Sequence, residues 1–361
     1  MEVSNGVKSK VYFEPVKNSD TKETIREKFA RLLEASNLLD FIKKDEEVAV
    51  KMHFGEEGNT GFVKPEYVRL VSDRIKKIGA KPVLTDTNTL YSGRRTNAKD
   101  HMLLAHEHGF TENIAGAPVV IADGNKDVAL GGKFVKTAKI APLFLNIDAI
   151  VGVSHFKGHI MAGFGGALKN IGMGCASREG KLAQHSDVAP FVRFKSCTGC
   201  AECMKVCPAD AIIITNSKSN IDSAKCIGCA SCIAACPYHA IDIHWEGGAG
   251  NIQEKMMEYV KAVIGSKQKK SAFMNFAVKI TKECDCLAKD DPRISPDIGI
   301  FASTDPVAID KACLDSVNSA CGKDVFKEVW PERDWSKQLN YAQEIGIGSM
   351  DYELIKIERR A

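Results

Sequence analysis

One stretch constrains this chain more than any other. Residues 197–208 read Cys197-Thr-Gly-Cys200-Ala-Glu-Cys203-Met-Lys-Val-Cys207-Pro208. The pattern returns 29 residues later as Cys226-Ile-Gly-Cys229-Ala-Ser-Cys232-Ile-Ala-Ala-Cys236-Pro237. Each half is C-x2-C-x2-C-x3-C-P, the spacing that holds a pair of 4Fe–4S cubanes. Three close thiolates cap three irons of one cubane, and the fourth, past a short helical turn, reaches the other. The spacing therefore assigns Cys197, Cys200, Cys203 and Cys236 to one cluster and Cys226, Cys229, Cys232 and Cys207 to the second. Two zinc sites are the competing assignment. Zinc calls for two cysteine pairs or added histidines, not four cysteines at this spacing followed by proline.

The repeat fills a small part of a 361-residue chain, which has length for about two or three domains. A net charge of +3 gives no basic excess for nucleic acid. No apolar run is long enough to span a membrane, and Met1-Glu-Val-Ser-Asn-Gly lacks the basic end and apolar core of a signal peptide. A cytoplasmic protein is expected. There, thirteen cysteines point to metal ligation rather than disulfides. Exposed clusters of this kind are oxygen-sensitive, so an anaerobic or microaerobic host is expected.

Outside the repeat, strand-like and helix-like segments alternate. Strands are expected at 9–16, 48–54, 81–85, 118–122, 133–140 and 148–153, and helices at 20–36, from Pro65 to Gly79, and at 98–108. This is the pattern of an α/β domain with a layered, mainly parallel sheet. Each cluster motif precedes a β-rich segment, Ala211–Thr215 and Ala240–Ile243. The repeat thus reads as an inserted α+β module like a bacterial ferredoxin. The α/β domain is expected at 1–193 and 246–361 and the two-cluster module at 194–245. Further strands are expected near 297–302 and 352–357, with a helix capped by Asp305 and opened by Pro306 between them.

Two stretches outside the repeat carry chemistry. The loop Asp86-Thr-Asn88-Thr-Leu-Tyr-Ser-Gly-Arg94-Arg95 follows a strand, where sites of α/β folds gather. Asp86, Asn88, Arg94 and Arg95 are candidates for binding an anionic substrate; a solvated loop is the alternative. Three histidines follow, His101, His106 and His108, expected at the surface or at a helix end. The second stretch, Ser154 to Cys175, holds six glycines, two histidines, two lysines and a cysteine directly after an apolar strand. Its glycines do not fit the dinucleotide-binding rule. His155, His159 and Lys169 are the candidate catalytic residues, for proton transfer, anion binding or a covalent adduct. Late in the chain, Cys284-Asp-Cys286 is a metal half-site, a redox pair, or two structural thiols.

Taken together, Lys51-Met-His53-Phe-Gly55, Thr85–Tyr91, His155–Cys175, the two cysteine motifs, Cys284-Asp-Cys286 and Asp305-Pro-Val-Ala-Ile-Asp310 resemble the uncharacterised iron–sulfur centre proteins. These join a domain of unknown function to a ferredoxin module. The resemblance spans essentially the full length and implies no activity. A second, more distant one is to the N-terminal domain of the nickel-pincer lactate racemases. It rests on His159-x-x-Ala-Gly-Phe164-x-Gly166-x-x-Lys169. It implies a catalytic base at His159, a cofactor-holding lysine at Lys169, and a metal-ligating histidine at His185, 16 residues on. This chain departs from that family at Gly165, where the family has serine, and at Met173, where it has proline.

Three functions are then in play. The first is a redox enzyme whose two 4Fe–4S clusters pass electrons from a redox partner protein to a small-molecule substrate in the α/β domain. A second metal or organic cofactor could serve that site. The second is a ferredoxin-like electron carrier or accessory subunit. The third is a racemase or isomerase with structural clusters. No nucleic acid or membrane partner is expected.

Overall fold

The computed structural model describes residues 8–185, 189–244 and 251–357. Eight strands form one sheet in the order Tyr352–Lys356, Ser9–Pro15, Gly299–Ser303, Ser271–Ala277, Ala149–His155, Glu47–Lys51, Lys81–Thr87 and Val119–Ala122. Gly299–Ser303 runs antiparallel to both neighbours, and every other pairing is parallel. The inner strands Ala149–His155 and Ser271–Ala277 are buried at every residue, because helices cover both faces. Side chains alternate between two apolar layers. Ala49, Ile150, Phe273 and Phe301 point to one, and Val50, Val151, Met274 and Ala302 to the other.

Local signals place the helices as the sequence predicts. Thr21 caps Lys22–Ser36, whose Ile25, Phe29, Leu32 and Leu33 are buried. Pro65 opens Pro65–Ile78, and left-handed Gly79 closes it. Asp305 caps Pro306–Cys321 through the amides of Val307 and Ala308. Two expectations need correction. Thr137–Ile140 is not part of the main layer; it pairs with Lys126–Ala129 in a separate hairpin. His101 is not at the surface: it is fully buried with its ring edge-on to Phe54. No helix among the described residues is long and apolar enough to cross a membrane.

The cysteine-rich segment is an insert with two small antiparallel strand pairs: Phe191–Val192 with Ile241–Asp242, which brings its two ends together, and the hairpin Ile212–Thr215 with Lys218–Ile221. It has its own apolar core, which contains Cys197, Cys203, Cys232 and Cys236.

One buried carboxylate ties the second half of the chain to the first. Asp310 accepts the amides of Ala167 and Leu168, at 2.7 and 3.0 Å, and the Asn275 amide at 2.6 Å. It so fixes the start of Ala167–Gly172, the helix that carries Lys169. A Cβ on Gly166 would lie 2.3 Å from the carboxylate, so this approach requires glycine. Asp310→Ala leaves these donors buried without an acceptor and is expected to cost about 3 kcal/mol of stability. Urea unfolding measures it; a change inside the error of wild type would contradict this role.

Candidate active site

The site lies past the C-terminal ends of the parallel strands, where open α/β sheets bind ligands. Lys51, Thr87 and His155 end three adjacent strands, and all three line one cavity of about 450 Å³. The glycine-rich stretch after His155 folds over it as the hairpin Lys157–His159 with Gly163–Gly165 and the helix Ala167–Gly172. The helix Arg178–His185 closes another side. Its Lys181 and His185, four residues apart, share the face towards the cavity.

Basic side chains are numerous in the cavity lining. Five cations, Lys51, Lys157, Lys169, Lys181 and Arg95, line the cavity against one lining carboxylate, Asp86. Lys51 meets Asp86 at 3.0 Å and the Asn170 side-chain oxygen at 2.8 Å. Burial opposes a charge on Asp86, yet the Lys51 ammonium beside it keeps its carboxyl well below the usual range. Arg95 is fully engaged: Glu56 at 3.0 Å, His53 at 2.7 Å, Tyr91, and Asp86 at 3.9 Å. Lys157 meets Asp285 at 3.0 Å, and Lys181 donates to Thr87 Oγ1 at 2.6 Å and the Asn88 carbonyl at 2.5 Å. The Lys169 ammonium has no hydrogen-bond or ion-pair partner among the described residues. Burial, with Lys157 nearby, lowers its pKa to about 7; burial lowers that of Lys181 to about 7 as well.

The histidines divide by hydrogen bonding. His155 is committed at both ring nitrogens, Nδ1 to Asp285 and Nε2 to the Val278 carbonyl, each at 3.0 Å. It holds Asp285 rather than facing a ligand with a free nitrogen. His159 accepts the amides of Met161 and Ala162 at Nδ1, which leaves Nε2 for other work. Burial and the neighbouring Lys169 and His185 hold its ring neutral. Burial beside Lys169 likewise lowers His185 to about 3, so its ring is neutral too.

The structure thus brings His155, His159, Lys169 and His185 to one cavity, with Asp86 and Arg95. It does not bring Asn88 or Arg94 there. Arg94 points outwards and forks to Glu107, at 2.5 and 2.7 Å. Asn88 is buried away from the cavity, and neither of its amide atoms has a hydrogen-bond partner among the described residues. Sequence reasoning missed Lys51, His53, Lys157 and Lys181 as site residues. Lys51 and His53 carried the one usable signal, a cation and a histidine at the end of a predicted strand. Cys284 and Cys286 form a disulfide beside His159; Cys286 lines the cavity.

The cysteine-rich insert forms a second donor set. Its eight motif cysteines are all free thiols. Matching positions of the two repeats take left-handed backbone, with φ of 72° and 71° at Gly199 and Gly228 and of 64° and 58° at Ala201 and Ala230. The amides of Ala211 and Ala240 donate to the sulfurs of Cys207 and Cys236, at 3.3 and 3.2 Å. Burial pushes the Cys232 thiol up to about 12, and Cys229, Cys226, Cys203 and Cys207 lie close enough to push it the same way. Cys207 from the first motif is thereby near the cysteines of the second. Soft thiolates with amide donors to sulfur fit an iron–sulfur group or another thiophilic metal.

Fold and site define an α/β protein with a cation-lined cavity at its sheet ends and a metal-competent cysteine insert. Residues 48–315 match the family model described as Domain of unknown function (DUF362), and the chain belongs to that family. No curated protein matches it. Among solved structures it is similar to the lactate racemase apoprotein from Thermoanaerobacterium thermosaccharolyticum, at 14% identity and a TM-score of 0.38, over 75% of this chain and 51% of that one. It is also similar to a structural-genomics protein from Thermotoga maritima, at 14% identity and a TM-score of 0.37, over 85% of this chain and 60% of that one. The chain therefore spans little more than half the length of these proteins.

The charge state of Lys169 gives a test. Its pKa is about 7 folded against an ordinary 10.5, so between these values the unfolded chain binds the extra proton and stability rises with pH. Lys169→Met removes this cost. Its melting temperature is expected to exceed that of wild type, most of all below pH 7, with the gap closing towards pH 10.5. A gap that stays constant from pH 6 to pH 10 would contradict a buried, unpaired amine.

Proposed function

We propose that this protein is an iron–sulfur redox enzyme whose insert delivers electrons to a small anionic substrate or cofactor in the cavity. On this reading the insert is a ferredoxin-like module of residues 194–245, set into an α/β domain formed by the flanking segments. Cys197, Cys200, Cys203 and Cys236 would hold one 4Fe–4S cluster, and Cys226, Cys229, Cys232 and Cys207 the other. Such clusters supply one-electron transfer when bound.

The observation that carries the reading is the shared wall between insert and cavity. Leu90 lines the cavity and also belongs to the apolar core around Cys197, Cys203, Cys232 and Cys236. Leu182 joins the same core from the helix whose Lys181 and His185 face the cavity. A cysteine core packed directly against a ligand cavity suits electron delivery better than a free-standing carrier.

The cavity's own residues suggest the substrate class and the proton path. Its excess of cations favours a carboxylate or phosphate. Lys51, Arg95 and Lys157 are already paired, so Lys169 and Lys181 are left to recognise the anion. With a pKa near 7, Lys169 can both hold an anion as ammonium and trade a proton with it. The neutral His159 ring adds a second hydrogen-bonding group on the same side.

Anaerobic reconstitution tests this reading. Expected are about eight irons per chain and a reduced-state EPR signal from interacting cubanes. Lys169→Ala is expected to leave both unchanged while lowering turnover by about 10² or more. Redox-inactive metal, or zinc in place of iron, would overturn the proposal.

A further inference from the structure

Another device sits in the wall of the same cavity. Cys284 and Cys286 form a disulfide, and the other eleven cysteines are free thiols. A structural bridge acts mainly by closing a long loop of the unfolded chain. This one joins residues with a sequence separation of 2, so it removes almost none of that freedom. The motif cysteines ligate metal only as reduced thiolates. The chain therefore works where thiols stay reduced, and a bridge formed in such surroundings is usually catalytic or redox-sensing.

The two sulfurs differ in access. Cys284 is only 5% exposed, whereas Cys286 is half-buried and lines the cavity. A reactant in the cavity meets Cys286 first. The backbone between them is fixed. The Asp285 carboxylate accepts from His155 and from Lys157, each at 3.0 Å, and Tyr91 donates its hydroxyl to the Cys286 carbonyl at 3.0 Å.

A ring nitrogen of His159 and both sulfurs lie within 4.8 Å of one another. This trio could hold a metal, but the tautomer argues otherwise. His159 Nδ1 accepts two backbone amides, at 3.1 and 3.2 Å, so its lone pair is engaged and the neutral ring carries its proton on Nε2. The ring has an N–H to offer rather than a lone pair. An N–H donor steadies a thiolate.

We propose that Cys284 and Cys286 are a redox-active dithiol–disulfide pair, with Cys286 the sulfur presented to the cavity and His159 the donor that steadies its thiolate. Reduction breaks the S–S bond, takes up two electrons and two protons, and leaves two thiols. The electrons come singly from a low-potential one-electron donor. The inference rests on the reading above, which makes the insert that donor and its cysteines reduced metal ligands. The protons come from solvent. The bridge re-forms when the dithiol gives two electrons and two protons to a closed-shell anionic acceptor held among the cations. The pair thereby converts single electrons into a two-electron step.

Thiol counting tests it on the full chain. Protein is treated anaerobically with dithiothreitol or dithionite, alkylated, digested and weighed. The peptide holding Cys284 and Cys286 is expected to carry no label before reduction and two labels after either reductant, with Cys286 modified first. In His159→Gln, alkylation of Cys286 at pH 7 is expected to slow roughly tenfold. In a Cys203→Ser, Cys232→Ser variant, dithiothreitol still opens the bridge but dithionite does not. If dithionite opens it equally well there, the pair stands and the route through the insert fails. The wild-type arm decides the pair alone. A bridge that resists both reductants in folded protein, or free thiols before any treatment, overturns the inference. So does one zinc per chain that is retained by reduced wild type and lost in His159→Gln.

Discussion

The arrangement of the site depends on one buried ion pair, Lys51 with Asp86. They lie at or near the C-terminal ends of adjacent parallel strands, 3.0 Å apart, and both are almost wholly shielded from solvent. Either charge alone would be costly in such a place, so removing one partner strands the other. The pair also organises its surroundings. Asn170 takes a hydrogen bond from Lys51 and gives its own amide to the Lys51 and Val153 carbonyls, which ties the Lys169 helix to the strand ends. A Cβ at Gly174 would lie 2.3 Å from the Asn170 carbonyl oxygen and 2.4 Å from the Lys51 ammonium, so the chain passes this pair only as glycine. Arg95 and Lys157 are likewise balanced, by Glu56 and Asp285, which leaves Lys169 and Lys181 as the lining amines without a carboxylate partner.

Much of the scaffold was legible from local physics. Apolar runs marked the buried strands, and Thr21, Pro65, Gly79 and Asp305 marked helix ends through capping chemistry that acts within a few residues. The glycine-rich stretch after the strand Ala149–His155 announced close backbone approach, and Gly166 against Asp310 is one such contact. What stayed hidden depends on partners far apart in sequence. Lys157 and Lys181 look like ordinary surface lysines until folding buries them against Asp285 and Thr87. Arg94 and Arg95 are indistinguishable in the sequence, yet one faces Glu107 outside and the other is sealed against Glu56 and His53. His101 carries no local sign that the helix turns it inward against Phe54. Likewise the C-x-C pair shows its partner, His159, only in three dimensions.

Two donor sets with different chemistry therefore share one wall. The insert offers thiolates with amide hydrogen bonds to sulfur, suited to holding metal; the cavity offers cations and neutral imidazoles, suited to holding an anion and moving protons. The helix Arg178–His185 belongs to both, through Leu182 on one side and Lys181 and His185 on the other. A Cβ on Gly228, in the second motif, would lie 3.8 Å from the Leu182 side chain. A charge change at Lys181 should consequently be felt in the insert across a poorly screened interior.

That electrical contact is the central claim, and a reduction potential reads it directly. Reconstituted wild type and Lys181→Met would be titrated anaerobically at pH 6, where Lys181, with its pKa lowered by burial to about 7, is mostly protonated in the wild type. The account predicts two one-electron couples in each protein. Loss of the cation should lower the potential of the nearer one by an amount on the order of tens of millivolts. Unmoved potentials, or the absence of any couple, would contradict it.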